Sequence, residues 1–132
     1  MTSLGYITAD ELIARLEAQG DSEGAGTAST LVLDVRDDDR AGGHIKGSVH
    51  LPSSTLDDSQ LDKVITQHLA AQQPPAVVVH CMLSQQRGLR AAQRLASRLA
   101  ELKLDTPVLV LEGGYKKFSA AASSAPHLID EA

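Results

Sequence analysis

The sequence predicts a single α/β domain, a central and mainly parallel sheet flanked by helices on both faces. Three observations carry that expectation. Short runs of leucine and β-branched residues at 31–35, 76–79 and 108–111 alternate with segments whose apolar residues recur at helical spacing. Those runs are apolar at consecutive positions, the mark of strands buried on both sides, as in sheets built from βα units. The chain of 132 residues is also long enough for one core of its own, so residues 1–132 are taken as one domain.

The elements follow in order. Tyr6 and Ile7 begin a short first element. Thr8 with Glu11 three residues on is a capping-box pattern, and Leu12, Ile13 and Leu16 then share a helical face that Gly20 ends. Residues 20–29, G-D-S-E-G-A-G-T-A-S, form a glycine- and serine-rich surface loop expected to be flexible. The run 31–35 is a buried strand, and 49–51 a shorter one stopped by Pro52. Residues 57–71 place Leu61, Val64, Ile65 and Leu69 on one side of an amphipathic helix. Pro74 and Pro75 interrupt the chain before the central strand at 76–79. A helix from about Gly88 to Lys103 presents Ala92, Leu95, Leu99 and Leu102 inward, with Arg90, Arg94 and Arg98 on the opposite, solvated face. After the strand 108–111, Gly113 and Gly114 turn the chain into a last short helix through Phe118. Residues 122–132 are read as a tail with no assigned element.

Charge and cysteine usage narrow the function classes. A formal charge of −5 argues against a nucleic-acid backbone or an anionic membrane as the main partner. No apolar run approaches the roughly 20 residues of a membrane span, and the first residues lack the pattern of a secretory leader. A single cysteine can form no internal disulfide, so a cytoplasmic or nuclear location is expected. His44, His50, His68 and His127 lack metal-ligand spacing, and no metal or resident cofactor is expected.

That single cysteine stands in H-C-M-L-S-Q-Q-R-G, residues 80–88. Parallel strands would bring the loops after 31–35, 76–79 and 108–111 to one carboxyl edge, where ligands of open α/β sheets gather. A loop running from a strand end into a helix start can turn its amides inward, and the helix N-terminus adds partial positive charge. Both favour an oxyanion above Cys81 and a thiolate over a thiol, making Cys81 a nucleophile at neutral pH. Met82, Leu83, Ser84, Gln85, Gln86 and Gly88 would form the anion-binding loop, with Ser84 offering a hydroxyl as well. Arg87 adds a planar fork that grips two oxygens at once. Such donors stabilise a trigonal-bipyramidal phosphoryl transition state without a metal. The competing reading is a small thiol packed in the core. His80, adjacent on the strand, points to the opposite face and is expected to support loop carbonyls from below.

H-C-x5-R after a buried strand resembles the signature loop of rhodanese-fold phosphatases and arsenate reductases. Leu33-Asp-Val-Arg36, then Gly43-His-Ile-Lys-Gly-Ser48 and His50-Leu-Pro52, resembles the rhodanese pattern D-x-R…GHIxGS…xxP. Leu111-Glu-Gly-Gly114 with Phe118 resembles the family's L-x-G-G-x-x-x-aromatic element. Within the superfamily the cysteine loop is most similar to fungal phosphatase-like proteins and to the eukaryotic arsenate reductases related to the cell-division-cycle dual-specificity phosphatases. The resemblance implies a single rhodanese-like domain and a cysteine-dependent phosphatase working through a phosphocysteine. Arsenate reductase is the close alternative, thiosulfate sulfurtransferase the third reading, and a non-catalytic anion-binding or protein-interaction domain the one from another class. The implied partners are a phosphate or arsenate oxyanion or a phosphoprotein.

The departures from the pattern also carry information. Gln85 and Gln86 stand where the cell-cycle phosphatases have acidic loop residues, so the proton for a leaving group must come from elsewhere. Asp37, Asp38 and Asp39 are the nearest candidates, in a run that more often forms a solvated turn and whose charge would repel a phosphate. With one cysteine, arsenate reduction would require an external thiol, glutathione or glutaredoxin by analogy with the family. Asp34 and Arg36 are expected to pair structurally. Arg90 lies near enough to the loop to assist an anionic ligand.

Overall fold

A computed structural model describes residues 4–19, 30–37, 43–70, 74–82 and 86–130. The loop at 20–29 and residues Asp38, Asp39, Leu83, Ser84 and Gln85 lie outside the described residues. Strand β1 (Leu4–Ile7) leads into α1 (Ala9–Gln19), β2 (Leu31–Asp34), β3 (His44–Ile45) and β4 (Val49–His50). Next come α2 (Asp58–Val64), β5 (Val77–His80), α3 (Arg87–Glu101), β6 (Val108–Leu111), α4 (Gly114–Ala121) and β7 (Ile129–Asp130).

The main sheet has the order β1-β6-β5-β2-β4, with every pair parallel and β5 in the middle. Alternation along the strands divides the core between two faces. Leu33, Val77, Val79, Val108 and Val110 pack with Leu61, Ile65, Leu95 and Leu99 on the side of α2 and α3. Val32, Val78 and Leu111 pack with Leu12 and Phe118 on the side of α1 and α4. Helices on both faces explain why these strands read as continuous apolar runs.

Local chemistry accounts for the helix starts. Thr8 Oγ1 accepts from the Glu11 amide at 3.1 Å while the Glu11 carboxylate accepts from the Thr8 amide at 2.9 Å, the reciprocal box expected from sequence. Asp57 caps α2 by accepting from the Gln60 amide at 2.9 Å.

Two segments differ from expectation. The helix expected over 57–71 is α-helical only through Val64 and then continues as a π-helix over Ile65–Ala70, which still buries Ile65 and Leu69. Residues after Ala122, given no element by the sequence, carry two 3₁₀ turns and β7. β7 pairs antiparallel with β3, and Leu128 beside it is buried. Two-residue strands leave too little alternation for a sequence pattern to reveal them.

Candidate functional site

The carboxyl edge of the sheet assembles the site. The Val35 amide donates to the His80 carbonyl at 2.9 Å, so the chain leaves β2 and β5 side by side. The Ser53 amide donates to the Val35 carbonyl at 3.1 Å and brings the turn after Pro52 alongside. On the other flank the amides of Tyr115 and Lys116 donate to the carbonyls of Cys81 and Met82, each at 3.0 Å. The start of α4 therefore draws both carbonyls to itself. Across the trans peptide that follows Cys81, the Met82 N–H points the opposite way.

Gly113 and Gly114 make this junction possible. Both have positive φ, 78° and 62°. A Cβ on Gly114 would run into the Met82 carbonyl and lie within 2.7 Å of the Cys81 carbonyl oxygen. Only glycine lets the chain turn left-handed this close to the cysteine loop.

Cys81 directly follows the central strand, is 3 % exposed and touches the core on the α2/α3 side. His80 is buried and faces the other way. Its Nδ1 lies 3.2 Å from the Cys81 carbonyl oxygen and its ring stacks 6.3 Å from that of Tyr115. With a carbonyl as acceptor, Nδ1 carries the proton. His80 thus contacts the Cys81 carbonyl and does not face the sulfur.

Arg87 is the first residue of α3, and no side chain caps that helix at Gln86 among the described residues. Amides in the first turn of an uncapped helix are donors for an anion. Arg87 Nη1 stands 3.3 Å from Asp37 Oδ2, with the two side chains 35 % and 30 % exposed. Asp37 also accepts from Ser53 Oγ at 2.8 Å and from the Ser54 amide at 2.9 Å. The Ser54 amide first, then the serine hydroxyls, and finally Arg87 hold the Asp37 carboxyl well below the usual carboxylate range. A carboxylate so held has no proton to give at neutral pH. Of the three aspartates offered as proton sources, Asp37 is thus held as an acceptor for Arg87, an arrangement that speaks against the acid role.

Beneath the loop on the α4 side lies a second pair. Arg36 Nη2 is 2.7 Å from Asp34 Oδ2, with the side chains 1 % and 0 % exposed. Arg36 Nε reaches both Asp34 oxygens, Nη2 donates to the Gly43 carbonyl at 2.9 Å, and the guanidinium lies 4.0 Å above the Tyr115 ring. Burial works to raise the Asp34 pKa, but the Arg36 hydrogen bonds and the charges of His80 and Arg36 outweigh it and leave the value lowered. His50 Nε2 ties the Arg36 carbonyl at 2.6 Å. The structural pairing expected of Asp34 and Arg36 is therefore present. Arg36 also holds the carbonyl of Gly43, the glycine of the G-H-I stretch, whose φ is 153°.

The arginine face of α3 is solvated, as its spacing suggests, and two of its residues also reach α2 and the turn before it. Arg98 binds Asp62 at 2.7 and 3.0 Å, and Arg94 donates to the Leu56 carbonyl at 3.1 Å, so these residues strap α3 to α2. Arg90 lines a surface groove of about 470 Å³ together with Asp58, Arg94 and Arg98. Sequence reasoning missed Ser53, Ser54 and Tyr115. The signal was available for the serines, because Pro52 ends a short strand and a parallel sheet would bring the following turn to the same edge.

The match to known proteins is broad. The Rhodanese-like domain family matches residues 8–121. The chain belongs to the rhodanese-like family. It is 33 % identical over 125 residues to the dual specificity phosphatase Cdc25 of Arabidopsis thaliana, covering 90 % of this chain and 75 % of that one. To the CDC25-like phosphatase YCH1 of Saccharomyces cerevisiae it is 38 % identical over 96 residues, or 67 % of this chain and 65 % of that one. Among solved structures, the As-Sb reductase from Leishmania major superposes with a TM-score of 0.82 at 28 % identity, covering 96 % and 85 % of the two chains. The yeast protein Ygr203w, a protein tyrosine phosphatase of the Rhodanese family, gives 0.82 at 30 % identity, covering 99 % and 94 %. These relatives make the rhodanese-like chain a cysteine enzyme of that family.

Proposed function

We infer that this protein is a cysteine-dependent phosphatase with Cys81 as nucleophile and Arg87 as anion clamp. One observation supports it above the rest. Cys81 leaves the central strand, and Arg87 opens the next helix with its guanidinium at the sheet edge against Asp37. The Cys81 sulfur attacks phosphorus, and the bond to the leaving oxygen breaks as the sulfur–phosphorus bond forms. Arg87 and the amides from Met82 to Gly88 take up charge on the equatorial oxygens. Water then cleaves the phosphocysteine, returning the thiol and releasing inorganic phosphate.

Two features shape the substrate. A cysteine only 3 % exposed favours a phosphoryl group on a protruding arm or a free oxyanion. An Asp37 that stays ionised favours leaving groups of low basicity, so turnover should rise steeply from alkyl to aryl phosphates. A flat dependence on leaving-group basicity would show that a protein acid protonates the oxygen.

A second reading, arsenate reduction, is favoured by the likeness to the As-Sb reductase. Arsenate would condense with Cys81 and lose water. An external thiol, glutathione or glutaredoxin, would then attack that sulfur, releasing arsenite as two thiols become one disulfide, and a second external thiol would restore Cys81. Assays of wild type and Cys81→Ser with an aryl phosphate, and with arsenate plus glutathione and glutaredoxin, separate the readings. Phosphate release lost in Cys81→Ser supports the phosphatase. Turnover with arsenate and thiols alone moves the assignment to the reductase.

A further inference from the structure

We propose that Asp37 is a positioning residue that sets the Arg87 guanidinium across the mouth of the cysteine loop, with Ser53 and Ser54 fixing Asp37 for that task. The proposal rests on the cysteine–arginine anion cradle inferred above. A carboxylate beside an anion site repels the ligand, so its presence calls for a compensating use. The geometry supplies one. Asp37 Oδ2 is shared between Arg87 Nη1 at 3.3 Å and Ser53 Oγ at 2.8 Å, while Oδ1 takes the Ser54 amide at 2.9 Å. Ser53 is in turn bonded through its amide to the Val35 carbonyl at 3.1 Å. A rigid strand end thus runs through Ser53 and Asp37 to a long, rotamer-rich side chain arriving from α3, fifty residues away. Both partners are about one-third exposed, and pairs of that kind add little to stability. The worth of the contact is the orientation of Arg87, since a fork already in place gives up less freedom when an anion arrives.

This arrangement gives Asp37 an effect opposite in sign to simple electrostatics. Removing its charge should weaken anion binding as long as Arg87 is present. The test is calorimetric titration with inorganic phosphate of the wild type, Asp37→Asn, Arg87→Ala and the double variant. Asp37→Asn is expected to weaken phosphate binding by about tenfold or more, and to leave it unchanged or improved once Arg87→Ala is present. Ser53→Ala should move affinity in the same direction by a smaller factor, which covers the case of poorly folded Asp37→Asn. With an aryl phosphate, Asp37→Asn should lower kcat yet keep both limbs of the pH profile. Stronger phosphate binding in Asp37→Asn alone would mark Asp37 as a competitor for Arg87 and overturn the proposal. An equal loss in both backgrounds would assign it a merely structural role and overturn it too. A wild type that binds no phosphate is a distinct result, because it removes the cradle itself. Equal binding by wild type and Asp37→Asn removes only the role of Asp37.

Discussion

Two aspartate–arginine pairs stand at one sheet edge, and they are built for different tasks. Asp34–Arg36 is sealed, at most 1 % exposed, joined by two-pronged hydrogen bonds and stacked on Tyr115. Asp37–Arg87 is one-third exposed, joined by a long contact, and sits where α3 begins. A buried charge that loses its partner is costly because no water replaces it. A charge at the rim can exchange its partner for a ligand at little cost. The difference teaches that neighbouring pairs of identical chemistry divide into scaffold and working part according to burial.

The comparison can be broken at its buried half first. Asp34→Ala strands the Arg36 charge and should cost about 3–5 kcal/mol of stability, read as a lowered melting midpoint. A variant that melts normally but loses turnover would reverse the roles of the two pairs. Acidification gives the same test a sign. The Asp34 pKa is lowered in the fold, so its contribution is present above the unfolded value of about 3.9 and fades as pH falls through the lower folded value. The gap in melting temperature between wild type and Asp34→Asn should therefore be full at neutral pH and shrink in strong acid.

The rim half predicts the converse. Arg87→Lys replaces the fork by a point charge and should lower kcat/KM by about a hundredfold to a thousandfold, with the melting midpoint nearly unchanged. Equal damage to stability would make this pair a scaffold as well. The smallest effect lies where the two regions meet. Gly114→Ala forces a side chain onto the Met82 carbonyl at positive φ and should cost about 1–3 kcal/mol. Turnover should fall further than the melting midpoint alone explains, because the start of the loop moves with it. Unchanged kinetics in a variant with a lowered midpoint would detach α4 from the site.

The parallel sheet and its helices were legible because strands 31–34, 77–80 and 108–111 lie between helices on both faces and are apolar at consecutive positions, up to Asp34 and His80 at the carboxyl ends of the first two. Cys81, Arg87 and the capping box of α1 could be read because each depends on local spacing. The partners of Asp37 could not be read so directly. Ser53 and Ser54 reach it through sheet neighbours sixteen and seventeen residues away, and Tyr115 carries no motif that announces a ring under Arg36. β7 stayed hidden because a two-residue strand takes its meaning from β3, its partner across the fold. Spacing reveals what a residue does with its neighbours in sequence, whereas burial decides which of two like pairs is the scaffold.

The central claim is that Cys81 becomes covalently phosphorylated in a cradle completed by Arg87. Acid quenching during turnover of an aryl phosphate, followed by mass spectrometry of the digest, tests it most directly. The account predicts a phosphate on the peptide bearing Cys81, absent in Cys81→Ser and scarce in Arg87→Lys. An enzyme that turns over with that sulfur unmodified, and keeps its rate when Cys81 is serine, would contradict it.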